Sequence, residues 1–137
     1  MQYGNVRENA ERDWLVEVVC RPRLAAEARQ AVAAFLAGPC PDVDTDAGQV
    51  LVLVVSELVT NALRHAGGVA AMTLLADRDT LRVIVEDPSP VLPQERRPDL
   101  SGYEGGFGWP MVQLLSRSVS VRPRPGGGKE IEAVLDR

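Results

Sequence analysis

Apolar residues recur along this chain in two rhythms, one of period two and one close to 3.6. Residues 14–22, WLVEVVCRP, are rich in β-branched and aromatic side chains and close on a proline, which predicts a strand suited to a sheet edge. Residues 24–38, LAAEARQAVAAFLAG, are alanine-rich with Gly38 and Pro39 at the end, which predicts a helix. A second helix follows to Ala66. Asp42, Asp44 and Asp46 supply N-cap chemistry at its start, and Gly67 and Gly68 end it. Residues 69–77 and 80–87 read as two strands joined by Arg78 and Asp79, an antiparallel hairpin whose turn type is open because neither residue is glycine. From 88 to 107 prolines, glycines and charges collect without periodicity, as in the long loops that carry function. GWPMVQLLS predicts a short helix. SVSVRPRP and GGKEIEAVLDR predict two last strands joined around Gly126, Gly127 and Gly128.

This order predicts an α+β sandwich: a mostly antiparallel sheet with helices packed on one face. Within the second helix, Leu51, Val55, Leu58, Ala62 and Ala66 form the core-facing stripe. Bordering that stripe, SELVTNALRHA sets Glu57, Asn61 and His65 at successive four-residue steps, so that Glu57 and Asn61 share one side.

Composition narrows the classes of function. A chain of 137 residues fits one domain, residues 14–137 after a polar tail at 1–13, and its 45% hydrophobic and 25% charged residues are those of a globular protein. A net charge of −4 offers no electrostatic footprint for direct nucleic-acid binding or for an anionic membrane. The longest apolar run, residues 50–55, is far shorter than the roughly 20 residues of a membrane span. The N-terminal residues lack a signal peptide's apolar stretch, so a cytoplasmic location is expected. Cys20 suits a buried apolar role, whereas Cys40, between two prolines, has no evident one. A single histidine sets aside a His/Cys zinc cluster.

A carboxylate and a carboxamide one helical turn apart can divide a task. The amide oxygen of Asn61 is a hard ligand suited to Mg²⁺, and Glu57 can accept a proton from a hydroxyl or water, which together suggest phosphoryl transfer. Most such rows are nevertheless the wet side of an amphipathic helix. Asp87, at a strand end, can accept a hydrogen bond from an exocyclic amine such as adenine's, or can be an ordinary turn aspartate. Gly105, Gly106 and Gly108 precede a helix with Pro110 in its first turn, a setting for phosphate on backbone amides or for a simple hinge. The P-loop spacing is absent. Lys129 can add positive charge near a phosphate or face solvent.

Glu57-x-x-x-Asn61, Asp87 at a strand end, Gly106-x-Gly108 before a helix and a terminal GGGKEIEAVL occur in an order that resembles the GHKL ATPase superfamily. SELVTNALRHA, DPSPVLP and GGFGWPMVQLLS resemble most the small anti-sigma-factor serine kinases of actinomycetes. The resemblance implies the Bergerat α/β sandwich, with ATP and Mg²⁺ as cofactors. It makes Glu57 the catalytic base, Asn61 the metal ligand and Asp87 the adenine reader, with Gly106 and Gly108 at the phosphates and residues 88–107 as a lid; His65 and Lys129 are further candidates to line the nucleotide. Family members sequester a sigma factor, phosphorylate a STAS-domain anti-anti-sigma protein and typically form homodimers. Two positions differ from the superfamily pattern: serine at 89 replaces the glycine of D-x-G, and Glu130 stands where threonine is frequent. Intact Glu57 and Asn61 favour the leading reading, an ATP- and Mg²⁺-dependent protein serine kinase acting as an anti-sigma factor or similar switch, whereas Ser89 and Glu130 favour a rival, a partner-binding module of the same fold with little phosphoryl transfer. The catalytic domain of a histidine kinase is disfavoured, since nothing before Trp14 supplies dimerisation helices and a phosphoacceptor histidine.

Overall fold

The computed structural model describes residues 2–3, 16–93 and 108–137. Among these residues six antiparallel strands form one sheet in the order β1-β2-β3-β4-β6-β5. They are β1 (Gln2–Tyr3), β2 (Val16–Cys20), β3 (Ala71–Ala76), β4 (Thr80–Asp87), β5 (Ser118–Pro123) and β6 (Lys129–Asp136). The helices α1 (Ala25–Ala37), α2 (Thr45–His65) and α3 (Gly108–Leu115) give an α+β two-layer fold with helices on one face. The order and type of the larger elements follow the sequence pattern. The strand β1 does not: Gln2 and Tyr3 belong to the polar tail, yet they pair with Val19 and Val18, so β2 is an inner strand rather than the edge.

Side-chain alternation along the strands explains the layering. Leu81, Val83 and Val85 of β4 and Ile131, Ala133 and Leu135 of β6 turn inward, where they meet Leu51, Val54, Val55, Leu58, Val59 and Ala62 of α2. Each such aliphatic chain removed from water contributes roughly 1.5–3 kcal/mol. Phe35 and Val32 of α1 and Val112 of α3 join the same core, and α2 touches both neighbouring helices. At 21 residues, with an 18-residue stretch of mean hydropathy 1.3, α2 has the length and composition of a membrane span, but its apolar side is spent on this core.

Local chemistry sets the ends. Of the three candidate aspartates, Asp44 is the cap of α2, its Oδ1 accepting from the N–H groups of Asp46 at 2.7 Å and Ala47 at 3.2 Å. The β3–β4 hairpin turns over Arg78 and Asp79 without a positive φ, so it is not a mirror-image turn. Asp77 holds it instead, its Oδ1 accepting from Asp79 and Thr80 at 2.9 and 2.7 Å. Burial pushes the Asp77 carboxyl up, but these bonds and Arg82 hold it below the ordinary carboxylate value. Cys20 packs against the core without being fully buried, and Cys40, for which the sequence offers no role, goes deeper. Cys40 is 2% exposed within the core, and Cys20 is half-buried. The N–H of Cys40 donates to the Phe35 carbonyl at 2.8 Å, folding the chain back over the end of α1 and carrying the thiol inward.

Candidate nucleotide site

The row on α2 lies between two close approaches of the backbone. At its N-terminal end, Gly108 opens α3 directly against Glu57: a side chain begun at Gly108 would run into the Glu57 carboxylate, with Cδ only 3.2 Å away. Just past its C-terminal end, Gly67, at φ 78°, lies beside Pro88 in the loop that follows β4. Glu57, Asn61 and His65 line the stretch between, about 12 Å along the axis at 1.5 Å per residue.

Glu57 and Asn61 are half-buried, and among the described residues no hydrogen bond engages either side chain. A half-buried carboxylate and carboxamide left for water or a ligand fit a binding role better than a structural one. His65 is exposed in the last turn of α2, next to the exposed Arg64, whose positive charge complements the helix dipole. Among the described residues no group of three or more His, Cys, Asp or Glu side chains could hold a metal ion by itself. The donor set nevertheless fits Mg²⁺, which keeps several waters and is commonly held by one or two protein oxygens plus substrate phosphates. Asn61 is the protein oxygen available for that.

At the other end, Asp87 and Lys129 are register partners on β4 and β6, and alternation sends both to the helix-covered face. They form a buried ion pair, Lys129 Nζ to Asp87 Oδ1 at 3.0 Å, with side chains 7% and 2% exposed. The same ammonium donates to the Ser89 carbonyl at 3.1 Å, and the Ser89 N–H donates to Asp87 Oδ1 at 2.9 Å. Lys129 is therefore neither a solvent-facing lysine nor a charge left for phosphate, because pairing of the two strands delivers it to Asp87. Burying a carboxylate alone is costly, and the ammonium offsets that cost.

Both sequence departures acquire a local explanation. Ser89 adopts no positive φ, so the turn after Asp87 does not require glycine. The Ser89 hydroxyl in turn accepts from the Val91 N–H at 3.2 Å. Glu130 alternates with Lys129 and points to the opposite face of the sheet, between its register partners Glu86 and Arg122. Sequence reading passes over two residues that shape this corner. Gly128, at φ 83°, lies against the Asp87 carbonyl and 2.9 Å, measured from the Cβ it lacks, from Pro88 Cα. Arg124 donates through Nη1 to the Asp87 carbonyl at 3.4 Å and pairs with Glu86 at 3.5 Å. Only the glycine run offered a signal for Gly128. Nothing in the spacing marks Arg124.

Gly106 and most of the proposed lid, residues 94–107, lie outside the described residues. Of the predicted site residues, the structure thus brings Glu57 to Gly108 at one end and Asp87 to Lys129 at the other, with Asn61 and His65 between. No curated protein matches the chain. A family model, the histidine kinase-like ATPase domain, matches residues 18–135, a span that contains both ends of the site. The chain belongs to that family and carries a GHKL-superfamily ATPase domain of the Bergerat fold.

Proposed function

We propose that this domain is an ATP- and Mg²⁺-dependent protein serine kinase that acts as an anti-sigma factor or similar switch regulator, phosphorylating a serine on a STAS-domain antagonist in the cytoplasm. The observation that carries the reading is the Glu57 carboxylate held against Gly108 at the start of α3, half-buried and bonded to nothing among the described residues. A nucleoside triphosphate with its base at Asp87 and its phosphates toward Gly108 runs along the row. Its γ-phosphate then lies near Glu57, which accepts the proton of the attacking serine hydroxyl. Asn61 supplies an oxygen to the magnesium that, when bound, neutralises charge on the phosphates. The N–H groups opening α3 favour anionic oxygen there.

A second reading, a partner-binding module of this fold with little or no transfer, draws support from the Asp87–Lys129 pair, which engages the expected base reader internally. Transfer from γ-labelled ATP to candidate STAS proteins, run beside sigma-factor capture, decides between them. Labelling of an antagonist that falls about 10²-fold in Glu57→Ala, with ATP binding retained, supports the kinase. Capture of a sigma factor with equally poor labelling by wild type and Glu57→Ala supports the module. Asn61→Ala is expected to remove most of the Mg²⁺ dependence of nucleotide binding, and failure of ATP to bind the folded chain at millimolar concentration sinks the kinase.

A further inference from the structure

A cleft where β2 passes into α1 shares no residue with the row on α2 or with the corner around Asp87. Its volume is about 300 Å³, at the small end of ligand pockets, and its lining is Cys20, Arg21, Pro22, Glu27, Gln30 and Ala31. Pro22 and Ala31 are buried and Cys20 half-buried; burial pushes the Cys20 thiol up, so it stays uncharged and behaves as a small apolar group. Arg21, Glu27 and Gln30 are exposed, so the deep part of the lining is apolar and the outer part polar. Two opposite charges thus line one cleft, yet they form no ion pair with each other. Backbone holds each of them instead. Arg21 Nε donates to the Val69 carbonyl at 3.2 Å, and Glu27 Oε1 accepts from the N–H groups of Arg23 at 2.7 Å and Leu24 at 3.2 Å, where it caps α1. Among the described residues neither side chain has a further partner, which leaves the guanidinium its Nη1–Nη2 edge and the carboxylate its Oε2.

We propose that this cleft binds a small zwitterion of the α-amino acid class, its carboxylate on the Nη1–Nη2 edge of Arg21 and its ammonium on Glu27 Oε2. A guanidinium edge offers a carboxylate two parallel N–H donors, and a carboxylate takes charge-assisted bonds from an ammonium. A ligand carrying only one charge meets one of the two lining charges with the wrong sign. A zwitterion satisfies both. Because backbone bonds already hold Arg21 and Glu27, less side-chain freedom is lost when the ligand arrives. Gln30, three residues beyond Glu27 on the same side of α1, adds an amide that both donates and accepts, and Cys20, Pro22 and Ala31 give the ligand's carbon atoms an apolar surface. The volume restricts the ligand to a small molecule.

Chemical-shift titration of the folded, isotope-labelled chain with each of the common L-amino acids at millimolar concentration tests this. At least one is expected to shift backbone amides within residues 20–31. Its carboxamide, which lacks the carboxylate, and its desamino acid, which lacks the ammonium, are each expected to bind about tenfold or more weakly, the scale of losing a hydrogen bond to a charged group. Arg21→Gln and Glu27→Gln are expected to lose as much, and Glu27→Gln leaves the cap of α1 in place because a carboxamide oxygen still accepts from Arg23 and Leu24. No response of wild type to any amino acid overturns the proposal, as does a carboxamide or desamino analogue that binds as tightly as its parent. Shifts confined to other parts of the domain, or unchanged binding by either folded variant, overturn it too. Should one variant fail to fold, as judged by circular dichroism, the other variant and the analogues on wild type decide.

Discussion

The Glu57 carboxylate occupies the space in which a side chain at position 108 would begin, so at the start of α3 its approach to α2 is made by a glycine and an acid. The atoms in the way are the far end of a flexible side chain, which can swing aside. Gly108→Ala is therefore expected to cost little stability, under about 1 kcal/mol, because overpacking is relieved by a rotamer change rather than a backbone shift. It moves the carboxylate all the same. Phosphoryl transfer should fall nearly as far as in Glu57→Ala, about 10²-fold, while the double variant Glu57→Ala/Gly108→Ala is no worse than Glu57→Ala alone. Thermal melts beside transfer assays on the three variants check this, and additive losses would separate Gly108 from the carboxylate.

Gly128 presents the opposite case. Its missing side chain would meet backbone, the Asp87 carbonyl and Pro88, and its φ of 83° is one that other residues rarely adopt. Backbone cannot swing away. Gly128→Ala should cost about 2–4 kcal/mol, combining strain at positive φ with displacement of the Asp87 loop. Gly126, at φ 85° with nothing within 4 Å of its would-be side chain, provides the control. Gly126→Ala should cost only about 1–2 kcal/mol, the penalty of the left-handed conformation. Denaturant unfolding of both variants measures the difference, and equal losses would mean that the contact with Asp87 and Pro88 is irrelevant.

Asp77 makes stability depend on acid. Its carboxyl is held below the ordinary value despite burial, by the N–H groups of Asp79 and Thr80 and by Arg82. The unfolded chain therefore takes up its proton first as pH falls. The stabilisation is complete above the unfolded value of about 3.9 and is lost as pH falls through the lower folded value. Asp77→Asn should melt a few degrees below wild type at pH 7, a deficit below about 1 kcal/mol because the group is partly exposed, and the gap should close as pH falls through the folded value. A gap that stays constant with pH would assign the stabilisation to something other than charge.

Cys40 should resist modification in the native state. It is 2% exposed, and burial pushes its thiol up, with Arg137 opposing the rise and Asp42 adding to it. A soluble thiol reagent at pH 8 should label Cys20 first and reach Cys40 only as the domain unfolds, as read by peptide mass spectrometry. Native labelling of Cys40 at the rate of a free thiol would contradict the core placement.

Local pattern sufficed for much of this molecule. The 3.6-residue stripe from Leu51 to Ala66 and the alternation in residues 80–87 identify α2 and β4, because one face of each must be apolar to be buried. The same spacing sets Glu57 and Asn61 one turn apart on a single side of α2, since helix geometry is a property of the segment itself. Strand register is not such a property: no local feature says that Asp87 lies opposite Lys129 rather than one of its neighbours, and a slip of one residue would send Glu130 inward in its place. Two polar residues in a tail likewise gave no sign of pairing with Val18 and Val19, because a short strand draws its stability from its partner. The row on α2 was thus written in the sequence. What bounds it, Gly108 against Glu57 at one end and Lys129 on Asp87 at the other, was decided only when distant segments packed, because those contacts join residues that share no local geometry.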